Sequence, residues 1–296
     1  MLHVEPLINI VLCPVCNSNM QQPFIECKDH TVSYELFKIV ECSACGFKFT
    51  NPRPSDSNLG TYYKSEDYIS HSNTKKGLIS KLYHIVRKRT LRKKLKLINS
   101  LVSRGTILDY GCGTGMFLKT CANNEWKCEG VEPDNDARKL ALDAGLIVNS
   151  NRKDIKGTDF DIITLWHVLE HITDLIDTIR FLTELLKNDG KIIIAVPNYT
   201  SYDAITYKQF WAGYDVPRHL YHFEINSIKA LMKNFGFDLQ ACLPMKFDSY
   251  YVSMLSEKYE SGKVNYFKAI INGLISNFKA KSNSDYSSVI YIFRKA

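Results

Sequence analysis

Asp109, Gly111, Cys112, Gly113 and Gly115 fall within the stretch TILDYGCGTG, and Glu132 follows in VEPD. Glycines at alternating positions make a turn that admits a ligand close to the backbone, because no Cβ intrudes and positive φ is tolerated. Glu132 lies about 20 residues beyond the turn, at the end of a second apolar run, where a carboxylate can accept hydrogen bonds from both hydroxyls of a ribose. The pair favours an adenosine-type cofactor. A dinucleotide site takes GxGxxG with phosphate on the helix N-terminus. Here the third glycine comes one residue early and Asp109 precedes the turn. A carboxylate there repels pyrophosphate but suits the ammonium of a methionine moiety.

A second constellation is cysteine-based. Cys13-Pro-Val-Cys16 and Cys42-Ser-Ala-Cys45 are two CxxC turns whose amides can point at thiolate sulfurs, and together they form the four-sulfur set that zinc prefers. The Val-, Phe-, Tyr- and Ile-rich segment between them supplies the strands of a zinc ribbon. A closed four-cysteine shell leaves no open position, so the expected metal is structural. Cys27 and His30 are alternative ligands but make a less simple geometry, while Cys112, Cys121, Cys128 and Cys242 sit in apolar contexts and are expected in the core.

The elements that position these groups follow from periodicity. An apolar strand leads into Asp109, MFLKTCANN reads as a helix and WKCEGV as the strand carrying Glu132. FDIITL, KIIIAVP, FDLQACL and SSVIYIFRK read as strands, with helices in DLIDTIRFLTELL and in NSIKALMKNFG, the latter ending at Gly236. Alternation of strands and helices implies a parallel sheet with helices on both faces, an α/β Rossmann-like fold. Two segments exceed a minimal core of that kind, residues 198–223 at the carboxyl edge of the sheet and 245–285, the second expected as a helical cap. The spacing therefore divides the chain into a zinc ribbon at 1–54, a connector with a basic helix at 55–104 and the cofactor-binding domain at 105–296.

At these residues the chain resembles the class I S-adenosylmethionine-dependent methyltransferases. DYGCGTG is similar to their first motif, VEPD to the one that carries the ribose acid, and FDIITLWHVLEH to their fourth strand and the turn after it. The resemblance implies a seven-stranded sheet whose last strand runs antiparallel beside the fifth. It also implies a cofactor pocket that adds Pro133, Trp166 and His167 to the residues above. The segment around Trp211 resembles the WxxxDxPRHLxHF stretch of a methyltransferase subfamily found in bacterial polysaccharide and natural-product gene clusters. Many of its members carry an N-terminal CxxC...CxxC domain followed by NPRP. Sugar C-methyltransferases share the ribbon and core but add a large C-terminal domain, which argues against C-methylation of a deoxysugar.

Methyl transfer to a hydroxyl needs the acceptor aligned and its proton removed, a task that suits histidine with its ordinary pKa near 6.5. His219 is the first candidate for the base, with Asp215 as its partner or as a substrate ligand. Arg218 is a candidate anion clamp, unless it simply pairs with Asp215. Trp211, Tyr214 and His222 complete the expected acceptor site. His167 and His171, in WHVLEH, are rivals for the base; an EH pair shared by methyltransferases of many specificities points to shaping of the cofactor pocket instead.

Composition narrows the function classes. A chain of 296 residues, 45% hydrophobic and 23% charged, fits one large domain with a small appendage. No run approaches the ~18 apolar residues of a membrane helix. The N-terminus lacks the basic start of a secretion signal, so a cytoplasmic location is expected. The net charge of +7 is concentrated in KKGLISKLYHIVRKRTLRKKLKLINSL, where Leu78, Leu82, Ile85, Val86, Leu91, Leu95 and Ile98 fall at helical spacing. Lys81, Arg87, Lys88, Arg92, Lys93 and Lys96 are left largely on the opposite face, solvated or against an acidic partner. Aromatic residues are not interleaved with them as a nucleic-acid stacking surface requires, so nucleic acid is disfavoured and peripheral membrane contact stays open. The leading expectation is O-methylation of a small molecule such as a glycan precursor, glycolipid or related metabolite. The alternative is an RNA base methyltransferase that holds RNA with ribbon and basic helix. A catalytically silent binding module fits the intact acid and glycines poorly.

Overall fold

The protein, in a computed structural model, is described over residues 7–63 and 78–296. Residues 64–77 of the expected connector, and the side chains of Leu78, Lys81 and Leu82, lie outside the described residues.

The strands that carry the site form one seven-stranded sheet. They are β4 (Thr106–Tyr110), β5 (Lys127–Val131), β6 (Val148–Asn149), β7 (Phe160–Trp166), β8 (Leu186–Pro197), β10 (Phe237–Pro244) and β11 (Ser288–Lys295), in the order β10-β11-β8-β7-β4-β5-β6. Pairing is parallel from β6 through β8, and β11 runs antiparallel to both β8 and β10. This is the expected α/β Rossmann-like sheet, including the antiparallel last strand beside the fifth. Ile107, Leu108, Ile162, Ile163, Ile193 and Ala195 are fully buried, as central parallel strands covered on both faces must be.

The covering helices show why their sequences fold so. Helix Leu175–Glu184 buries Leu175, Thr178, Ile179 and Leu182 on one stripe. Helix Ile225–Lys233 is closed by a capping box in which Glu224 accepts from the amides of Asn226 and Ser227. The segment 245–285 contains two helices, Asp248–Ser261 and Tyr266–Asn283, that pack on each other.

Three further strands and one loaned from the first insertion make a second sheet. Strands β1 (Gln21–Lys28), β2 (Leu36–Cys42) and β3 (Lys48–Thr50) pair antiparallel, and β3 then pairs with β9 (Tyr221–His222). The ribbon thus borrows a strand from the segment expected to select the acceptor. Cys13, Cys42, Phe47 and Phe49 share one apolar cluster with Leu220, Phe223 and the central strands.

The basic helix spans Leu78–Leu101 and covers the side of the sheet near β4. Ile98 is fully buried and Leu91 and Leu95 are half-buried, while Lys88, Arg92, Lys93 and Lys96 are exposed, as the spacing predicts. Two positions differ. Ile85 is exposed, and Lys94, absent from the expected polar face, turns inward.

Candidate functional site

The glycine turn and the turn after β7 meet where the strand order reverses, at the carboxyl ends of β4 and β7, the place where open α/β sheets bind ligands. The amides of Gly111 and Cys112 both donate to the carbonyl of Val131, which locks the turn against β5. At Gly111, φ is +74° and a Cβ would lie 2.5 Å from Val168, so only glycine fits between the two turns. Gly113, at φ +55°, has open space where a Cβ would stand, which leaves room for a ligand beside the turn. Gly115 ends the turn and starts helix Met116–Ala122; Cys112 is buried beneath it.

Glu132 is oriented by the chain itself. Its two carboxylate oxygens accept from the amides of Gly113 at 2.7 Å and Asp134 at 2.9 Å, fixing the group at the edge of the open turn. Burial raises its pKa against those two amides. Pro133, next in the chain, is exposed.

Asp109 is 2% exposed and has one hydrogen bond, from the Thr164 hydroxyl at 2.6 Å. Burial raises its carboxyl to about 7, although Thr164 and Lys94 pull the other way. Lys94 is lowered to about 8 by burial, against the attraction of Asp109 and Asp248, and its ammonium lies 4.0 Å from the centre of the Trp166 ring. The indole N–H of Trp166 is itself buried without a partner. A buried carboxylate and a buried ammonium that make no ion pair within 4 Å among the described residues therefore lie near an unpaired indole donor. The zwitterionic end of an amino acid answers all three, and with Glu132 for a ribose the residues present fit S-adenosylmethionine. Sequence reasoning missed Lys94, whose only signal is an inward position among outward lysines.

His167 follows Trp166 at φ +57°, a strained conformation for a non-glycine residue that turns the chain sharply. Its Nε2 is 3.0 Å from Asp248 Oδ2 and its Nδ1 is 3.5 Å from Glu170 Oε1. Burial would lower its pKa, but the two carboxylates outweigh burial and raise it to about 9. An imidazolium at neutral pH has no lone pair for a proton, so this state of His167 is a clamp on Asp248 rather than a base.

His171 and His219 stand with ring centres 4.6 Å apart, nearly edge to face. His171 Nδ1 lies 3.1 Å from the Arg218 carbonyl and 2.9 Å from the Tyr63 hydroxyl; His219 Nδ1 lies 2.9 Å from the Gly213 carbonyl. A carbonyl only accepts, so each Nδ1 that faces one carries a proton, and each Nε2 is turned away from that carbonyl. Burial, with His219 beside it, lowers His171 to about 4 and keeps it neutral. Asp215 Oδ2 is 3.9 Å from His219 Nε2, the expected neighbour at a longer distance than a hydrogen bond.

The remaining residues of the first insertion are largely engaged with one another and with the ribbon. Arg218 is 1% exposed and directs its donors at Asp215, at Asp29 and at the carbonyl of Tyr62. The pairing of Arg218 with Asp215 is thus the arrangement found, and an anion clamp would need donors that are already engaged. Trp211 donates from its indole to Asp203 at 2.8 Å, Tyr214 packs edge to face on Trp211, and His222 Nε2 meets the Thr50 hydroxyl at 3.1 Å. All three are less than a tenth exposed. Trp211 and His222 line a narrow crevice with Tyr199, Gly213, His219 and Tyr221, while Tyr214 lines a second with Trp211, Asp215 and Arg218.

The four cysteine sulfurs Cys13, Cys16, Cys42 and Cys45 converge as the spacing predicts, all within 4.8 Å of one another. The Cys13–Cys45 and Cys16–Cys42 sulfurs are 3.6 and 3.5 Å apart. That is too long for a disulfide and near the ~3.7 Å edge of a tetrahedron with 2.3 Å zinc–sulfur bonds. Amides of Val15 and Cys16 point at Cys13, and those of Ala44 and Cys45 at Cys42, so the residues fit zinc. Cys27 and His30 stand apart: His30 stacks on Tyr259 at 4.4 Å.

The chain belongs to the methyltransferase domain family, whose pattern it matches over residues 83–241, more than half its length. It is 31% identical over 108 residues to a ubiquinone biosynthesis O-methyltransferase of Actinobacillus pleuropneumoniae, covering 32% of this chain and 46% of that protein. A ubiquinone biosynthesis O-methyltransferase of Nitrosospira multiformis is 28% identical over 102 residues, covering 31% and 43%. The chain thus spans less than half the length of these curated relatives. Among solved structures, the magnesium protoporphyrin IX methyltransferase of Synechocystis superposes with a TM-score of 0.54 at 13% identity, covering 82% of this chain and 100% of that one. A methyltransferase of Thermotoga maritima gives 0.50 at 16% identity, covering 73% and 95%. At such identities the superpositions speak for the fold alone. No helix among the described residues is long and apolar enough to cross a membrane.

Proposed function

We propose that this protein transfers a methyl group from S-adenosylmethionine to a hydroxyl of a small molecule, such as a glycan precursor, glycolipid or related metabolite. The observation that carries this reading is the group at the ends of β4 and β5, where buried Asp109 and Lys94 make no ion pair within 4 Å among the described residues, Glu132 is oriented by two amides and the space beside Gly113 is open. S-adenosylmethionine supplies an electrophilic methyl on a sulfonium. Asp109 would hold its ammonium, Lys94 and the Trp166 indole its carboxylate, and Glu132 its ribose hydroxyls. The His171–His219 pair, with each Nδ1 tied to a carbonyl, would act on the acceptor's proton through Nε2, His219 first. The oxygen preference is supported by the names of the curated relatives, both O-methyltransferases.

Zinc in the four-cysteine site would fix the ribbon, and through β3 and β9 the position of His219 and His222. Its role is structural, since all four ligands come from the chain.

Titration calorimetry tests the donor site: the wild type should bind S-adenosylmethionine, and Glu132→Ala should lose about 1.5–3 kcal/mol, a charged hydrogen bond's worth. Transfer of labelled methyl should then be assayed on hydroxylated glycan precursors and glycolipids, and separately on RNA. His219→Ala should slow transfer roughly 10²–10⁴-fold with cofactor affinity within a few-fold. Transfer to RNA alone, with steeply salt-dependent binding, would replace the small-molecule reading.

A further inference from the structure

The geometry points to a divalent metal site formed by Glu170, His171 and His219, separate from the four cysteines, with the zinc class of cation as its ligand. The three residues come from two segments: Glu170 and His171 from the single turn Leu169–His171 after β7, and His219 from the insertion after β8. One ligand atom from each lies within 4.8 Å of the other two.

Glu170 supplies the observation that asks for a ligand. It is fully buried, and neither carboxylate oxygen has a hydrogen-bond partner. Among the described residues, its only charged neighbour at ion-pair distance is His167 Nδ1, at 3.5 Å. A buried carboxylate that faces one imidazolium at 3.5 Å and makes no hydrogen bond has room for a second cation at its open oxygens. The two imidazoles are prepared in the way metal-binding histidines are. Each donates Nδ1–H to a backbone carbonyl, Arg218 for His171 and Gly213 for His219, which fixes the tautomer and presents Nε2. Two neutral imidazoles and one carboxylate are the three-ligand set of zinc sites that keep a position open.

The open position gives the cation a use, and this part rests on the methyl-transfer reading above. An acceptor hydroxyl bound there loses its proton to solvent more readily, leaving an oxygen lone pair for the incoming methyl. His219 and His171 would then act on the acceptor through the cation rather than as free bases.

The test is a metal count on the whole protein, loaded with zinc, dialysed against metal-free buffer and measured by elemental analysis. The wild type should hold two equivalents per chain, and Glu170→Gln and His219→Gln one each. Cobalt substitution separates the sites, because only the cysteine site gives a thiolate charge-transfer band, and the second equivalent should add a spectrum without it. A wild type that saturates at one equivalent, or a Glu170→Gln protein that keeps two, overturns the proposal. If Glu170→Gln fails to fold, the wild-type cobalt titration decides, since a second equivalent that fails to appear or brings more thiolate absorption also overturns it. S-adenosylmethionine affinity, measured in parallel, should stay within a few-fold in Glu170→Gln. Loss of cofactor binding in the wild type would instead sink the methyl-transfer reading and leave the metal count standing.

Discussion

Arg218 and Asp29 lie 189 residues apart in sequence and meet at 2.9 Å, with side chains 1% and 0% exposed. The pair ties the ribbon to the loop that carries His219, and Asp215 completes it on the other side of the guanidinium at 2.7 Å. Burial would raise the Asp29 carboxyl, but Arg218 and the amides of Ser33 and Thr31 hold it at about 2.

Removing Arg218 should therefore cost stability. Arg218→Ala leaves the buried Asp29 and the partly buried Asp215 without their cation, a loss of about 3–5 kcal/mol. Thermal and denaturant unfolding would measure it. Unchanged stability with failed acceptor binding would return Arg218 to a substrate role.

Cofactor affinity should depend on pH through Asp109. Its carboxyl is raised to about 7, so in the free protein it is protonated below that pH, and holding an ammonium requires the ionised form. Binding should weaken by up to tenfold for each pH unit below about 7 and level off above it. The linked stability term runs the other way: the free folded protein is favoured by this group below the usual carboxylate range, and the contribution is lost as pH rises through about 7. Calorimetry across pH checks it, and Asp109→Asn should flatten the dependence.

Lys94→Met should weaken S-adenosylmethionine by about 1.5–3 kcal/mol while leaving the fold in place, because the residue is proposed to pair with the methionine carboxylate. Adenosine, which lacks that carboxylate, should bind wild type and variant alike. Equal loss for both ligands would mean that Lys94 only shapes the pocket.

Cys42→Ser should remove the thiolate-bound metal equivalent and lower the melting temperature. Cofactor affinity should hold within a few-fold, since the glycine turn is built on β4 and β5, whereas methyl transfer should fall because β3 can no longer hold β9. Wild-type protein purified without chelator and found free of zinc would refute the assignment.

The donor half of the site was legible in the sequence because its parts are local. Asp109, the glycines and Glu132 belong to two adjacent strand–turn units, and backbone sterics at Gly111 and the amides of Gly113 and Asp134 set their geometry. The same holds for the two CxxC turns, each of which aims its own amides at sulfur. Helix Asn135–Asp143 and the two-residue strand β6 were not read, the strand being too short to show a period. Where a side chain points in the folded core was not legible either. Arg218, Trp211, Tyr214 and His222 read as acceptor ligands, and their contacts with Asp29, Asp203, Trp211 and Thr50 had no signal in the sequence. Lys94 read as one basic residue among many, and Glu170 as part of a motif. What those residues do depends on partners tens to nearly two hundred residues away, and on burial that strips water from their charges. Local pattern records neither quantity, so only the tertiary structure decided them.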